Sequence, residues 1–116
     1  VLQILEQFRD LVIDKNTLIQ LHVGTKKIKT DKPVEVCNRH VLLLLESYQK
    51  GVISKQWLLD WVNTVWFSGL FEYCDENCDC IASVMNELEE IDEDGKELTQ
   101  KKINKYIHVL ENNIEI

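Results

Sequence analysis

The amino-acid sequence predicts an all-α fold: a single-domain bundle of about five helices, with room for a short β-hairpin near residues 17–30. Three observations carry that expectation. Apolar residues recur mainly three and four apart, the spacing of one helix face. Two segments open on the same start signal: Ser54 lies between Ile53 and Leu58, and Thr99 between Leu98 and Ile103. In each, a hydroxyl can accept from first-turn amides while the flanking apolar pair staples the turn. A chain of 116 residues with one proline and four glycines has an ordinary globular composition. At that length it can bury about two thirds of its unfolded surface in one core without metal or disulfides.

Taken in order, Val1, Ile4, Leu5, Phe8, Leu11 and Val12 form a first helical stripe, ended by the polar break Asp14-Lys15-Asn16. Two patterns compete from Thr17 to Thr30. Ile19, Leu21 and Val23 alternate like a strand, and Gly24-Thr25 suits a turn, which is the hairpin option. A second helix is expected from Pro33, tolerated in a first turn, to Lys50, with Gly51 as its stop. Its run Val41 to Leu45 is apolar around much of the circumference, so this helix should be central. The third helix starts at Ser54 and carries Trp57, Trp61 and Trp66, with Leu58, Leu59, Val62 and Val65 between them. Such a helix is either the buried centre or leaves an aromatic edge for a partner. A fourth, capped by Asp75, is expected from about Glu76 to Ile91. The last, from Thr99, sets Ile103, Tyr106, Ile107, Leu110 and Ile114 on one face, with Lys101, Lys102 and Lys105 on the other.

Charge is segregated along this chain. Between Glu72 and Glu97 eleven carboxylates face one lysine, Lys96, a net of −10, whereas the whole chain sums to −7, so the remainder is mildly basic. Segregation of this kind points to an interaction surface more than to an active site. An acidic balance argues against nucleic acid, because holding phosphates needs clustered Lys and Arg, and the one basic cluster, Lys26, Lys27 and Lys29, is short. The longest apolar run is far below the roughly 20 residues that span a bilayer, so no membrane segment is expected. No secretion signal is read in the sequence, and a cytoplasmic protein is the expectation. In a reducing compartment Cys37, Cys74, Cys78 and Cys80 should stay free thiols.

Turning the acidic helix by about 100° per residue gathers Cys78, Cys80, Ile81, Val84, Met85 and Leu88 on one arc. Glu76, Asp79, Glu87 and Glu90 fall on the opposite one, with Ser83 and Asn86 between. Acids at the helix start are explained by the dipole, worth about 0.3–1 kcal/mol each. Glu87 and Glu90 lie at the end where the dipole opposes them and repel one another at i,i+3. They are better accounted for by solubility or by a basic partner. The candidate partner-binding residues are therefore Glu76, Asp79, Glu87 and Glu90.

Three thiols in seven residues, Cys74, Cys78 and Cys80, invite a metal or redox reading. A structural zinc site supplies paired ligands from two segments, and C-x3-C-x-C lacks the second pair. On a helix Cys78 and Cys80 also point about 160° apart. No metal or other cofactor is expected, and core thiols are the simpler reading. Asp92-Glu93-Asp94-Gly95 resembles a calcium loop until Lys101 falls where the bidentate Glu belongs, which leaves an acidic turn. His22, His40 and His108 lie on separate segments without a catalytic motif, and no nucleophile elbow, phosphate loop or H-E-x-x-H occurs, so no enzyme is predicted.

The stretch Leu44 to Leu58, Leu-Leu-Glu-Ser-Tyr-Gln-Lys-Gly-Val-Ile-Ser-Lys-Gln-Trp-Leu, resembles small bacterial immunity proteins of the colicin D type and of other polymorphic toxins. Asp92 to Thr99, Asp-Glu-Asp-Gly-Lys-Glu-Leu-Thr, followed by a closing helix, is similar to related small proteins. The likeness spans Leu44 to about Leu110 and implies an acidic helical protein that binds and blocks a basic toxin nuclease domain. No individual contact residue is carried over. The alternative, from another class, is a metal- or redox-responsive regulator built on Cys74, Cys78 and Cys80.

Overall fold

In the computed structural model, residues 2–21 and 33–116 are described. Among them lie six helices and two short strands: α1 (Leu2–Arg9), α2 (Lys15–Leu21), β1 (Val34–Val36), α3 (Asn38–Gln49), α4 (Lys55–Phe67), β2 (Phe71–Tyr73), α5 (Cys78–Leu88) and α6 (Gln100–Glu111). The protein is mostly helical, as the periodicity predicts, but the two strands pair in parallel and the fold is not all-α.

Both start signals operate. Ser54 Oγ accepts from the Trp57 amide at 3.1 Å and Thr99 Oγ1 from the Lys102 amide at 3.2 Å. Gly51, at φ 75°, ends α3 while the Val52 amide reaches back to the Ser47 carbonyl at 2.9 Å. That positive φ is open to glycine at little cost.

Asp14 does more than break the first stripe: its Oδ1 accepts from the Thr17 amide at 2.8 Å, which starts α2. Residues 17–21 are thus helical and not the first arm of a hairpin. Leu18 is buried while Ile19 and Gln20 are both exposed, and two consecutive outward residues do not fit strand alternation. The rest of the hairpin option, with the basic cluster and His22, lies outside the described residues.

The helix expected from Pro33 begins five residues later. Val34, Glu35 and Val36 are extended, with both valines buried and Glu35 exposed. The register sets Val34 against Phe71, Glu35 against Glu72 and Val36 against Tyr73. A parallel pair needs a long crossover, here supplied by α3 and α4. Three residues carry too little periodicity to announce a strand, and this one exists because a partner far along the chain lies beside it. After it, Cys37 is the N-cap of α3, and its amide donates to His40 Nδ1 at 2.8 Å.

The acidic helix is shorter than expected. Asn77, not Asp75, is the residue at its N-cap, and its last helical residue is Leu88, although Ile91 in the following turn is still buried.

α3 is central as predicted, burying Val41, Leu44 and Leu45 against α6, α4 and α5. Of the three tryptophans, Trp61 is fully buried and donates its indole N–H to the Arg9 carbonyl at 3.1 Å, which ties α4 to the end of α1. Trp57 and Trp66 are half-buried, so α4 is both the centre of the core and the holder of an aromatic edge.

Candidate partner-binding surface

α5 presents its acids at two ends that differ in character. Asp75, Glu76 and Asp79 are exposed around the helix start. An asparagine network holds that start in place. Asn77 Nδ2 donates to Asn113 Oδ1 and Asn113 Nδ2 to the Glu76 carbonyl, both at 2.9 Å, while Asn77 Oδ1 accepts from the Asn38 amide at 3.3 Å. Three elements therefore meet here: the starts of α3 and α5 and the end of α6. Asn113 sits at φ 50°, a left-handed conformation that asparagine tolerates better than most residues.

At the other end, Glu87 lies beside Tyr106 of α6 and Glu90 pairs at the surface with Lys96 of the following turn. Both are half-buried and line a cleft of about 240 Å³ with Lys96, Lys102 and Tyr106. Lys96 Nζ lies 2.8 Å from Glu90 and 3.6 Å from Glu93, so the one lysine of the acidic stretch neutralises part of it internally. Glu87 Oε2 is buried without a hydrogen-bond partner. Burial, then the Glu87 carboxylate beside it, pushes the Tyr106 phenol up to about 12. The four candidate carboxylates thus divide: Glu76 and Asp79 are exposed, whereas Glu87 and Glu90 are half-buried beside α6 and the following turn.

Folding also adds an acid that lies outside the charged stretch. Glu35 stands across from Glu72 on the exposed side of the sheet, where adjacent strands run about 4.8 Å apart. Like charges so placed repel. Nothing in the sequence points to this pairing, because it depends on the register of strands that sequence periodicity does not resolve.

The aromatic edge of α4 adjoins the exposed end of α5. Trp66 packs against Phe67 with ring centroids 6.2 Å apart and against Tyr73 at 6.4 Å, edge to face. Phe67 is 67 % exposed. Tyr73 in turn neighbours Cys78 and Glu89 of the acidic segment, and burial first, then those two groups, raises its phenol. Trp66, Phe67 and Tyr73 thus form one aromatic cluster, of which Phe67 is the largely exposed member.

The cysteines follow a different division from that of the helical wheel. Cys78 is exposed and not on the apolar arc, whereas Cys74 and Cys80 are buried, and all four cysteines are unbridged. Cys74 Sγ donates to Asn77 Oδ1 at 2.9 Å and Cys80 Sγ to the Val109 carbonyl at 3.5 Å. Among the described residues no group of three or more His, Cys, Asp and Glu side chains is placed to hold a metal ion. The segment Asp92 to Gly95 is an exposed hydrogen-bonded turn, with Gly95 at φ 81° and the Lys96 amide donating to the Glu93 carbonyl at 3.1 Å.

His40 is buried, at 5 % exposure, beside a cleft of about 520 Å³ that Arg9, Asp10, Arg39 and Glu46 also line. Its Nδ1 accepts the Cys37 amide, so the neutral ring carries its proton on Nε2, 3.8 Å from Asp10 Oδ1. With the Nδ1 lone pair occupied, the imidazole has none left to abstract a proton. Its position serves the start of α3. His108 is exposed on α6.

Among the described residues no helix is long and apolar enough to cross a membrane. No protein-family model, curated protein or solved structure matches this chain.

Proposed function

We propose that this chain is a non-enzymatic binding protein of immunity type, which blocks a basic toxin nuclease domain by setting carboxylates into the groove that would hold phosphates. The observation that supports the reading is the exposure of Glu76 and Asp79 around the start of α5, together with an aromatic cluster of Trp66, Phe67 and Tyr73 whose Phe67 ring is largely exposed. Complementary charge accelerates encounter, and a desolvated aromatic centre slows dissociation. Either alone would give a weak or unspecific complex. Glu87 and Glu90 contribute to the field of the surface, while direct contact falls to Glu76, Asp79 and the turn Asp92 to Asp94.

The test begins with capture of the partner from the native cell, followed by assay of its phosphodiester cleavage against added chain. One equivalent should abolish cleavage. Reversing Glu76 and Asp79 together to lysine should then slow association about tenfold or more at low salt and flatten its salt dependence. Capture of an acidic partner, or association equally fast at every ionic strength, would sink the reading.

A further inference from the structure

Cys37 and Cys74 stand at the same level of the sheet. The parallel register ends with Val36 opposite Tyr73, so the next pair along the strands is Cys37 and Cys74. The ladder reaches them, because the Cys74 amide donates to the Val36 carbonyl at 2.9 Å. Strand alternation puts both side chains on the Glu35 and Glu72 side, and Cys37 Sγ lies 3.5 Å from Glu35 Oε1. Strands about 4.8 Å apart bring matched α-carbons within the roughly 4.4–6.8 Å that a disulfide spans.

We propose that Cys37 and Cys74 are a covalent modification site, closing to an intrachain disulfide by exchange with a low-molecular-weight disulfide such as oxidised glutathione. Cys37, the more exposed of the two, enters first. Its thiolate attacks one sulfur of the small disulfide, whose S–S bond breaks and releases one thiolate. Cys74 then loses its proton and attacks Cys37 Sγ, which expels the second small thiolate and forms the Cys37–Cys74 bond. Two protein thiols are oxidised, one small disulfide is reduced to two thiols, and the two protons go to the departing thiolates.

The surroundings set the character of the bond. The Cys37 thiol is flanked by Glu35 and by Cys74, neither of which stabilises a thiolate, and burial with these neighbours pushes it up to about 12. Few thiolates make closure slow. The same absence of thiolate stabilisation makes the closed form resist reduction, the opposite of a low-pKa oxidising pair. The site is a cross-link and not a catalytic dithiol. It joins β1 to β2 where α3 and α5 begin, and it removes the thiol that donates to Asn77 Oδ1 while leaving the Asn38 amide there.

The full chain, incubated with oxidised glutathione, is alkylated, digested without reduction and mapped by mass spectrometry. The expected product links the Cys37 and Cys74 peptides and leaves Cys80 alkylated, with Cys78 alkylated or glutathionylated. It forms equally in a Cys78→Ser background. Its thermal midpoint should exceed that of the reduced chain by about 5–15 °C. Alkylation of both Cys37 and Cys74, a stable glutathione adduct on Cys37, a bridge from Cys74 to Cys78 or Cys80, or a midpoint that does not rise would each overturn the assignment.

Discussion

Replacing Trp61 with alanine is expected to lower unfolding free energy by about 4 kcal/mol, read from the shift of the urea midpoint. The side chain is fully buried, so truncation leaves a cavity in the core that the neighbours fill only in part. It also strips the Arg9 carbonyl of the indole donor 3.1 Å away. Against a typical total of about 5–15 kcal/mol, such a loss puts the variant at the edge of unfolding. Phe67→Ala on the same helix supplies the contrast, because that ring is largely exposed and its loss should cost about 0.5 kcal/mol or less. Equal losses at the two positions would contradict the assignment of core and edge.

The stability of the wild-type chain should fall by about 3 kcal/mol between pH 6.5 and pH 4 on account of His40 alone. Burial foremost, then the charges of Arg9 and Arg39, holds this imidazole down to about 4, with Asp10 and Glu35 pulling weakly the other way. The folded pKa is depressed below the unfolded value, so the unfolded chain binds more protons in that window. The contribution is therefore complete above pH 6.5, is lost as pH falls towards 4, and changes no further below it. His40→Gln isolates the effect, since a glutamine at this third helical position can still accept the Cys37 amide as a capping box does. The variant should match wild type at pH 7 and exceed it at pH 4.5, measured by urea unfolding at each pH. Parallel pH profiles would mean that His40 does not titrate differently on folding.

The two site predictions behave differently because they rest on different physics. Asp79 lies where a helical wheel puts it, on a face turned to solvent, because exposure there needs only the local 3.6-residue turn, whereas Glu76 is exposed in the turn that precedes the helix. Glu87 obeys the same wheel, yet α6 covers it with Tyr106 and Lys102, and a wheel contains no neighbouring helix. Lys96 looks like a lone positive charge in the sequence, and only the turn after α5 brings it back onto Glu90.

Local chemistry written in consecutive residues was legible in the caps at Ser54 and Thr99, the stop at Gly51, the central burial of α3 and the acidic turn at Gly95, but not in the starts of α3 and α5, expected at Pro33 and Asp75. Each is decided within one or two turns of chain, where hydrogen bonds and side-chain spacing act over a few ångströms. What only the tertiary structure decided are the contacts that close long loops: β1 against β2, Glu35 against Glu72, Cys37 against Cys74, the indole of Trp61 on the Arg9 carbonyl, and Asn113 locking the start of α5. A three-residue strand or a single asparagine has no periodicity of its own. Its conformation is set by a partner more than thirty residues away, and that partner is present only once the helices have packed.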